Sequence, residues 1–351
     1  MRVFHRTSLT ILMREGFLPT SLTKCVSISI NLTRIEISEK AAGQSMPATI
    51  RRLIESDRDD IVELSRHTWD GHDYLSEVAD EWLKDPKCHF YGVEADNHIV
   101  AVGNLRLIED GRTGWMEGLR VHPEYREKGF AKGITKYLVK KAEHLGIHRL
   151  RYTTADENVA SLKLAEMAGF SKVLEMAVLW SVNPRTVPPI QGYPVIEETS
   201  PATTYNLLKA NPDMIPHGIL FYDWKALDSN LQNLQAIGKN HHFYISLKDE
   251  KVDSVSFGYP RPELDQTRWS FTIYANDSDG FRSQLSHNMA IALESGFELI
   301  MGTFENRFEQ TLSQMDFGSE EQGTAHMILL EKQVQSQKQQ QGSGRPNMHR
   351  K

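Results

Sequence analysis

A short turn with one glycine, placed between a strand pattern and a helix pattern, constrains the fold of this chain most. Residues 115–121, WMEGLRV, are rich in the apolar, aromatic and β-branched residues of strands, and residues 133–146 carry apolar residues at helical spacing. Between them, REKGFA at residues 126–131 contains Gly129 and two cations. Glycine lets a backbone approach a ligand, and the first N–H groups of a helix lack intrahelical partners. The sequence therefore predicts an anion cradle, with a pyrophosphate as the ligand.

The spacing of the glycines separates the known kinds of phosphate loop. A P-loop requires G-x-x-x-x-G-K-[ST], and the Lys-Ser/Thr end is missing here. The dinucleotide pattern G-x-G-x-x-G is matched poorly by Gly129, Ala131 and Gly133, and its first glycine must follow the strand directly. The pattern R-x-x-G-x-[GA] is matched without a gap, starting from Arg126. The alternative is an ordinary solvated turn flanked by basic residues.

The R-x-x-G-x-[GA] pattern resembles the coenzyme A signature of the GNAT acetyltransferases. VHPEY precedes the pattern as in many members, and residues 157–170, ENVASLKLAEMAGF, look like the second GNAT motif. The resemblance implies an α/β fold, more narrowly α+β with a mixed sheet, and acetyl-CoA as co-substrate. It also implies that main-chain groups at the end of the strand and a polar or helix-capping asparagine hold the coenzyme. The implied coenzyme residues are Leu119, Val121, Arg126, Lys128, Gly129, Phe130, Ala131 and Asn158.

Glu117 is the candidate general base, acting directly or through a water. It lies two residues before Leu119, so strand alternation predicts that both side chains share one face. The alternative is a solvated or salt-bridged strand carboxylate. GNAT enzymes often have a tyrosine as general acid seven residues after the asparagine, but that position here is Ala165. A water, another residue such as Tyr125 or Tyr152, or unassisted departure of the thiolate would have to replace it.

The loop after the first predicted helix, residues 67–83, is the expected site of the acetyl acceptor. Trp69 and Tyr74 are candidates to stack on a small ring, and Asp73 or Asp70 to receive an ammonium group. The alternative is that Trp82 and Leu83 pack a helix while the acidic residues are solvated caps. The histidines show no spacing typical of metal ligands, so no metal site is expected.

The chain also repeats itself. The hairpin pattern that starts at His89 recurs from His242, Trp115 corresponds to Trp269, and later glycines and Glu-Asn pairs follow in the same order. In the second copy the cradle reads YANDSDGFRSQLS, with Asp277 and Asp279 where a pyrophosphate needs positive charge. We therefore predict tandem GNAT-like domains with one coenzyme site, in the first copy. The alternative is two independent domains that are alike by chance.

The predicted domains are a catalytic domain at 46–184 and a degenerate domain at 185–332, joined through a Pro-rich segment. Residues 333–351 are rich in Gln, Gly and Ser and are expected to be disordered. Residues 1–45 are interpreted as an upstream extension of a cytoplasmic protein. Their Ser, Thr and Arg content also resembles a mitochondrial transit peptide, which is the alternative.

Composition restricts the function further. A formal net charge of −6 gives no general attraction to nucleic acid or anionic membranes, and no apolar run approaches the roughly 20 residues of a membrane span. Residues 46–332 are similar to the vertebrate histidine N-acetyltransferase family, which implies acetylation of the α-amino group of a free amino acid, histidine first. The alternatives are an acetyltransferase for protein N-termini or lysines, and a non-catalytic acetyl-CoA-binding regulator. The sequence predicts a small amine as partner and gives no oligomeric state.

Overall fold

The computed structural model describes residues 35–37, 48–68, 73–188, 196–263 and 266–334. The chain divides into two compact units. Among the described residues, the first unit contains those between 35 and 151 together with 167–169 and 332–334, and the second contains those between 152 and 166 and between 170 and 331. Among the described residues, no helix combines the length and hydrophobicity needed to cross a bilayer.

The first unit is a mixed sheet with helices. Strands β1 to β5 pair antiparallel in chain order, whereas β5 and β6 are parallel, from Thr113 opposite Arg149 to Trp115 opposite Arg151. Helix α3 makes the crossover between these two parallel strands, as parallel pairing requires. The elements are β1 (Ile35–Ile37), β2 (Ala48–Arg52), α1 (Arg58–Arg66), α2 (Leu75–Lys84), β3 (Cys88–Ala95), β4 (His98–Ile108), β5 (Thr113–Val121), α3 (Phe130–Leu145) and the first residues of β6 (Arg149–Ala155).

Apolar residues at helical spacing place helices against this sheet. Helices α1 and α2 are amphipathic, and their apolar faces form one core cluster with strand residues such as Phe90. In that cluster Trp82 is 1% exposed and meets Phe90 edge to face. Helix α3 buries Ile134 and Leu138, which lie closest to Gly103 of β4. The strand and helix predicted around the glycine turn are thus both confirmed, the helix starting three residues earlier than its pattern.

The second unit contains a larger mixed sheet. Its strand order is β15-β7-β14-β13-β12-β11-β8, in which β13 and β14 are parallel and the other neighbours antiparallel. Strands β9 and β10 form a separate hairpin. The elements are α4 (Val159–Ala168), β7 (Ser171–Val182), β8 (Glu197–Thr199), α5 (Pro201–Ala210), β9 (Ile219–Tyr222), β10 (Lys225–Asp228), α6 (Leu231–Ile237), β11 (His242–Lys248), β12 (Lys251–Glu263), β13 (Gln266–Ala275), α7 (Ser278–Glu294), β14 (Leu299–Glu305), α8 (Glu309–Leu312) and β15 (Glu321–Gln333).

The same succession of elements occurs in both units. Four antiparallel strands lead to a helix and a parallel strand, β2 to β6 with α3 in one case and β8 with β11 to β14 and α7 in the other. Trp115 lies in β5 and Trp269 in β13, and Gly146 and Gly296 adopt left-handed conformations after α3 and α7. This agrees with the element order that the predicted repeat requires, while duplication itself remains a prediction.

The predicted domain boundaries meet the described elements at three places. The boundary after Pro184 lies between β7 and β8. Residues 35–37 of the predicted extension form β1, and β15 ends at Gln333, the first residue of the predicted tail. Most of the predicted extension and tail lies outside the described residues.

Candidate active site

The start of helix α3 has the features of an anion cradle. Gly129 is the N-cap at φ 81°, a left-handed conformation that glycine adopts without steric cost, and it supplies no side chain to cap the helix. Gly133 N–H donates to Gly129 O at 2.9 Å, so the N–H groups before it are those that a helix leaves without an intrahelical carbonyl. The first turn contains no acidic residue. The local conformation therefore fits a bound phosphate group.

Two cationic residues directly precede this helix start in the chain. Arg126 and Lys128 are exposed, and Arg126 Nε makes a long hydrogen bond of 3.4 Å to Val121 O at the end of β5. Lys128 Nζ lies 4.6 Å from the ring centroid of Tyr125. The Tyr125 hydroxyl donates to Asp96 at 2.9 Å, a hydrogen bond that raises the pKa of the tyrosine. Phe130 is buried beneath the turn, and Ala131 is half-buried.

The corresponding helix of the second unit is capped by its own carboxylate. Asp277 accepts hydrogen bonds from the N–H groups of Asp279 and Gly280 at the start of α7, at 3.0 and 2.9 Å. A Cβ on Gly280 would lie 2.8 Å from Asp253 Oδ2. Burial, followed by the nearby Asp277, raises the pKa of Asp253, which indicates negative potential at this helix start. An anion would meet occupied N–H groups and like charge there.

Glu117 is held by two neighbours on β4. Its Oε1 accepts from Asn104 Nδ2 at 2.9 Å and from Arg106 Nε at 3.0 Å. The Glu117 side chain is 10% exposed, and Arg106 also contacts Glu81 of α2. The salt-bridged carboxylate considered as the alternative is therefore present, and the general-base role remains a prediction.

A β-bulge at Gly118 corrects the predicted alternation along β5. Asn104 pairs with Glu117 but Val102 pairs with Arg120, so β5 has one residue more than β4 in this stretch. Gly118 is at φ 66°, and Cζ3 of Trp82 lies 2.5 Å from where a Cβ on Gly118 would be. The inference that Glu117 and Leu119 share a face is wrong because it assumed an uninterrupted strand.

The predicted acceptor residues fall into two groups. Trp69 and Asp70 lie outside the described residues. Asp73 is buried, and both of its oxygens accept from Arg120, at 2.7 and 2.9 Å. Burial lowers the pKa of Arg120, but the hydrogen bonds to Asp73 act in the opposite direction, and the pKa is raised overall. The guanidinium also lies 5.5 Å from the ring of buried Tyr74. The Asp73 carboxylate, which was expected to bind a substrate ammonium, thus binds the Arg120 guanidinium in this structure.

Most of the second GNAT-like motif, residues 157–166 and 170, lies in the second unit. Asn158 Oδ1 accepts from Ser161 N–H at 3.1 Å, so the helix-capping part of its prediction is confirmed, and its contact with coenzyme remains a prediction. Ala165 is buried in α4 and offers no proton. The Tyr152 hydroxyl donates to Ser161 O at 3.3 Å, and burial raises the pKa of Tyr152.

Three residues around Glu117 were missed by sequence reasoning. Asn104 and Arg106 fix the carboxylate, and Gly118 makes the bulge beside it. The detectable signal was in β4, HIVAVGNLRLI, where a glycine and an asparagine interrupt a run of apolar residues. A polar residue inside a buried strand needs a partner, and here that partner is Glu117.

Comparison with known protein families identifies the domain that contains this site. Residues 58–170 match the acetyltransferase (GNAT) family. This segment is a GNAT acetyltransferase domain. It includes the cradle, Glu117 and Asn158, so the chain carries an acyltransferase domain of the N-acetyltransferase class. The fold agrees, because a GCN5-related N-acetyltransferase from Sphaerobacter thermophilus superposes with a TM-score of 0.55 at 13% identity, covering 82% of this chain and 96% of that one.

Curated relatives carry related names at modest identity. Probable N-acetyltransferase 16 from Homo sapiens is 25% identical over 252 residues, 66% of this chain and 68% of the relative. Histidine N-acetyltransferase from Oreochromis niloticus is 26% identical over 134 residues, 38% of this chain. The match spans 39% of the length of that relative, so it includes well under half of each protein.

Proposed function

We propose that this chain is an acetyl-CoA-dependent N-acetyltransferase that acts on the α-amino group of a free amino acid, with L-histidine as the preferred acceptor. The observation that carries the proposal is the start of α3, where a left-handed glycine, an uncapped first turn and two exposed cations occur within a GNAT domain. The names of the curated relatives support the choice of histidine.

The coenzyme site is proposed at the end of β5 and the start of α3. Arg126 and Lys128 would bind the pyrophosphate together with backbone N–H groups from Gly129 to Ala131. Leu119 and Val121 would offer main-chain groups to the pantetheine arm. The Leu119 carbonyl accepts from Arg120 Nη1 at 2.9 Å. When bound, acetyl-CoA supplies the thioester and the leaving thiolate.

Glu117 is proposed to receive the proton of the acceptor amine or to anchor its ammonium form. Attack on a thioester requires a neutral nitrogen and an orienting partner for its protons. Asn104 and Arg106 restrict Glu117 to one position beside the Gly118 bulge. Asn104 Oδ1 is buried and has no hydrogen-bond partner among the residues that the structure describes, so it is a second acceptor beside the carboxylate. These two residues are the proposed contacts of the amine, directly or through a water.

Asp73 is proposed to position Arg120. Direct binding of the substrate ammonium is proposed for Glu117 and not for Asp73. Both Asp73 oxygens bind Arg120, and Arg120 lies three residues after Glu117 on β5. Tyr74 packs against Trp82 with ring centroids 6.2 Å apart, which gives it a structural role in the described conformation. Trp69 remains a candidate for stacking on an acceptor ring.

The deciding experiment is acetyl-CoA turnover with the full chain against each of the twenty amino acids and against short peptides. Thiol release that depends on histidine and yields N-acetylhistidine is the expected result. Turnover only with peptides would favour a protein acetyltransferase, and turnover with another amino acid would correct the acceptor while retaining the reaction. No turnover with any amine, despite acetyl-CoA binding, would contradict the proposed catalysis.

That last outcome would support the second candidate, a non-catalytic acetyl-CoA-binding regulator. The observation in its favour is Ala165, a buried residue with no ionisable side chain at the position where many GNAT enzymes are expected to have a tyrosine. The Tyr152 hydroxyl donates to the backbone oxygen of Ser161, which lies on the same helix as Ala165. Tyr152 would have to break this hydrogen bond to act as the general acid.

A further inference from the structure

Two histidines and a glutamate come together beside the loop that leads to the cradle. Glu63 and His67 lie four residues apart at the end of α1, and His122 follows β5 directly. One coordinating atom from each of the three lies within 4.8 Å of the other two. The rings of His67 and His122 meet edge to face, with centroids 4.7 Å apart. Sequence spacing did not reveal this group because His122 is remote in the chain from the other two.

We infer that Glu63, His67 and His122 form a binding site for a divalent transition metal of the zinc class. Two imidazole nitrogens and one carboxylate oxygen are a ligand set that zinc takes with an open fourth position. The nitrogen ligands disfavour magnesium and calcium, which select oxygen. The site is separate from the proposed acetyl transfer, and its test does not depend on that reaction.

The geometry requires only local adjustment. Tetrahedral zinc with bonds near 2.0–2.1 Å brings ligand atoms to about 3.3 Å of one another, a contraction of at most about 1.5 Å for any pair. Glu63 Oε1 and His67 Nε2 are already 3.0 Å apart. Both side chains are substantially exposed, so rotamer changes can close the remaining gap.

The surroundings both favour and oppose a cation. His67 is the C-cap of α1, where the helix dipole favours positive charge. Arg66 binds the other oxygen of Glu63 at 2.8 Å, which leaves Oε1 for a metal but adds a like charge nearby. His122 Nδ1 accepts from Glu124 N–H at 3.4 Å, a long hydrogen bond whose loss on coordination would cost little. The expected site is therefore of moderate affinity.

The consequence is a clamp between α1 and the loop at residues 122–129. His122 is the N-cap of the short 3-10 helix Pro123–Tyr125, which leads to Arg126 and the cradle. A metal held by His67 and His122 would tie the end of α1 to the first residue of this loop. Metal binding should therefore raise the thermal unfolding temperature of the chain.

The test is calorimetric titration of the metal-stripped full chain with zinc chloride, comparing the wild type with His67→Gln and His122→Gln. His98→Gln is the matched control, because His98 is also an exposed histidine on an acidic partner, 3.1 Å from Asp60. Saturable binding that weakens by at least about tenfold in each site variant and is unchanged in the control is expected. Circular dichroism verifies that each variant is folded.

Cobalt provides a second readout. Cobalt bound by the wild type should show the intense visible absorption of four- or five-coordinate geometry, and His122→Gln should lose it. Undiminished zinc affinity in both site variants would place the metal elsewhere and overturn the inference. Absence of saturable zinc binding in the wild type would also overturn it.

Discussion

Replacing Gly118 by alanine should destabilise the first unit, because this residue makes the bulge that carries Glu117. Gly118 is at φ 66°, and an added Cβ would lie 2.5 Å and 2.8 Å from two ring carbons of Trp82. Real Cβ atoms do not approach other atoms that closely, so the indole or the strand must move. Trp82 is 1% exposed and contacts the rings of Tyr74 and Phe90, so the indole cannot move without disturbing these contacts.

The expected magnitude follows from two contributions. A left-handed conformation costs a residue with a Cβ about 1–2 kcal/mol, and overpacking a filled core costs about 1–3 kcal/mol. Gly118→Ala should therefore lower the free energy of unfolding by about 2–5 kcal/mol, a large share of the ~5–15 kcal/mol of a typical domain. Displacement of the bulge should also lower turnover through Glu117.

The matched control is Gly111→Ala, measured by urea unfolding under the same conditions. Gly111 is also left-handed, at φ 82°, but no atom of the described residues lies within 4 Å of an added Cβ. It should show only the backbone cost of about 1–2 kcal/mol. Equal destabilisation by the two variants would refute the argument that contact with Trp82 fixes the bulge.

Three further predictions follow from the described contacts. Glu117→Gln should lower kcat by on the order of 10²–10⁴ and remove the acidic limb of the pH–rate profile, whereas a raised KM with an ordinary profile would make Glu117 an ammonium anchor. Burial, with Lys141 and Arg52 nearby, lowers the pKa of His89 from 6.5 to about 4. The unfolded state then binds more protons between those values, so the free energy of unfolding should fall as pH falls from 6.5 to 4. His89→Phe should reduce that slope, and an unchanged slope in urea titrations at several pH values would contradict it. A chain that ends at Pro184 should aggregate in size-exclusion chromatography, because it lacks β14 and β15, the hydrogen-bonded neighbours of β7. A soluble, fully active fragment of residues 46–184 would disprove that prediction.

The sequence predicted the strand, the glycine turn and the helix of the proposed cradle well, because their signals are local. Glycine at a left-handed position, the apolar period of α3 and the strand before it all act within about twenty residues of chain. The acidic replacement at Asp277 and Asp279 was equally local, and the structure adds that Asp277 caps α7 with its own carboxylate. Such features depend on backbone geometry that single residue types determine.

The features that sequence reasoning missed depend on contacts between distant residues. An added Cβ at the Gly118 bulge would meet the indole of Trp82, which lies on a different element. Asp73 was predicted to be available for an ammonium, but the partner it binds, Arg120, lies 47 residues away. Strand alternation gives the two faces of an ideal strand and contains no information about an inserted residue. Sequence patterns therefore did not predict which distant charged residues pair or which residues pack around the bulge, and only the structure shows these contacts.

The central claim is that acetyl-CoA binds at the start of α3, and a calorimetric titration of Gly129→Asp tests it most directly. The substitution places a side chain and a negative charge at the N-cap, where Gly129 is left-handed at φ 81°. The control is Gly146→Asp at the other end of the same helix, also left-handed at φ 71°, where no atom in the described part of the chain lies within 4 Å of an added Cβ. The account predicts that Gly129→Asp abolishes acetyl-CoA binding while Gly146→Asp retains it. Wild-type affinity in a folded Gly129→Asp chain would contradict the account.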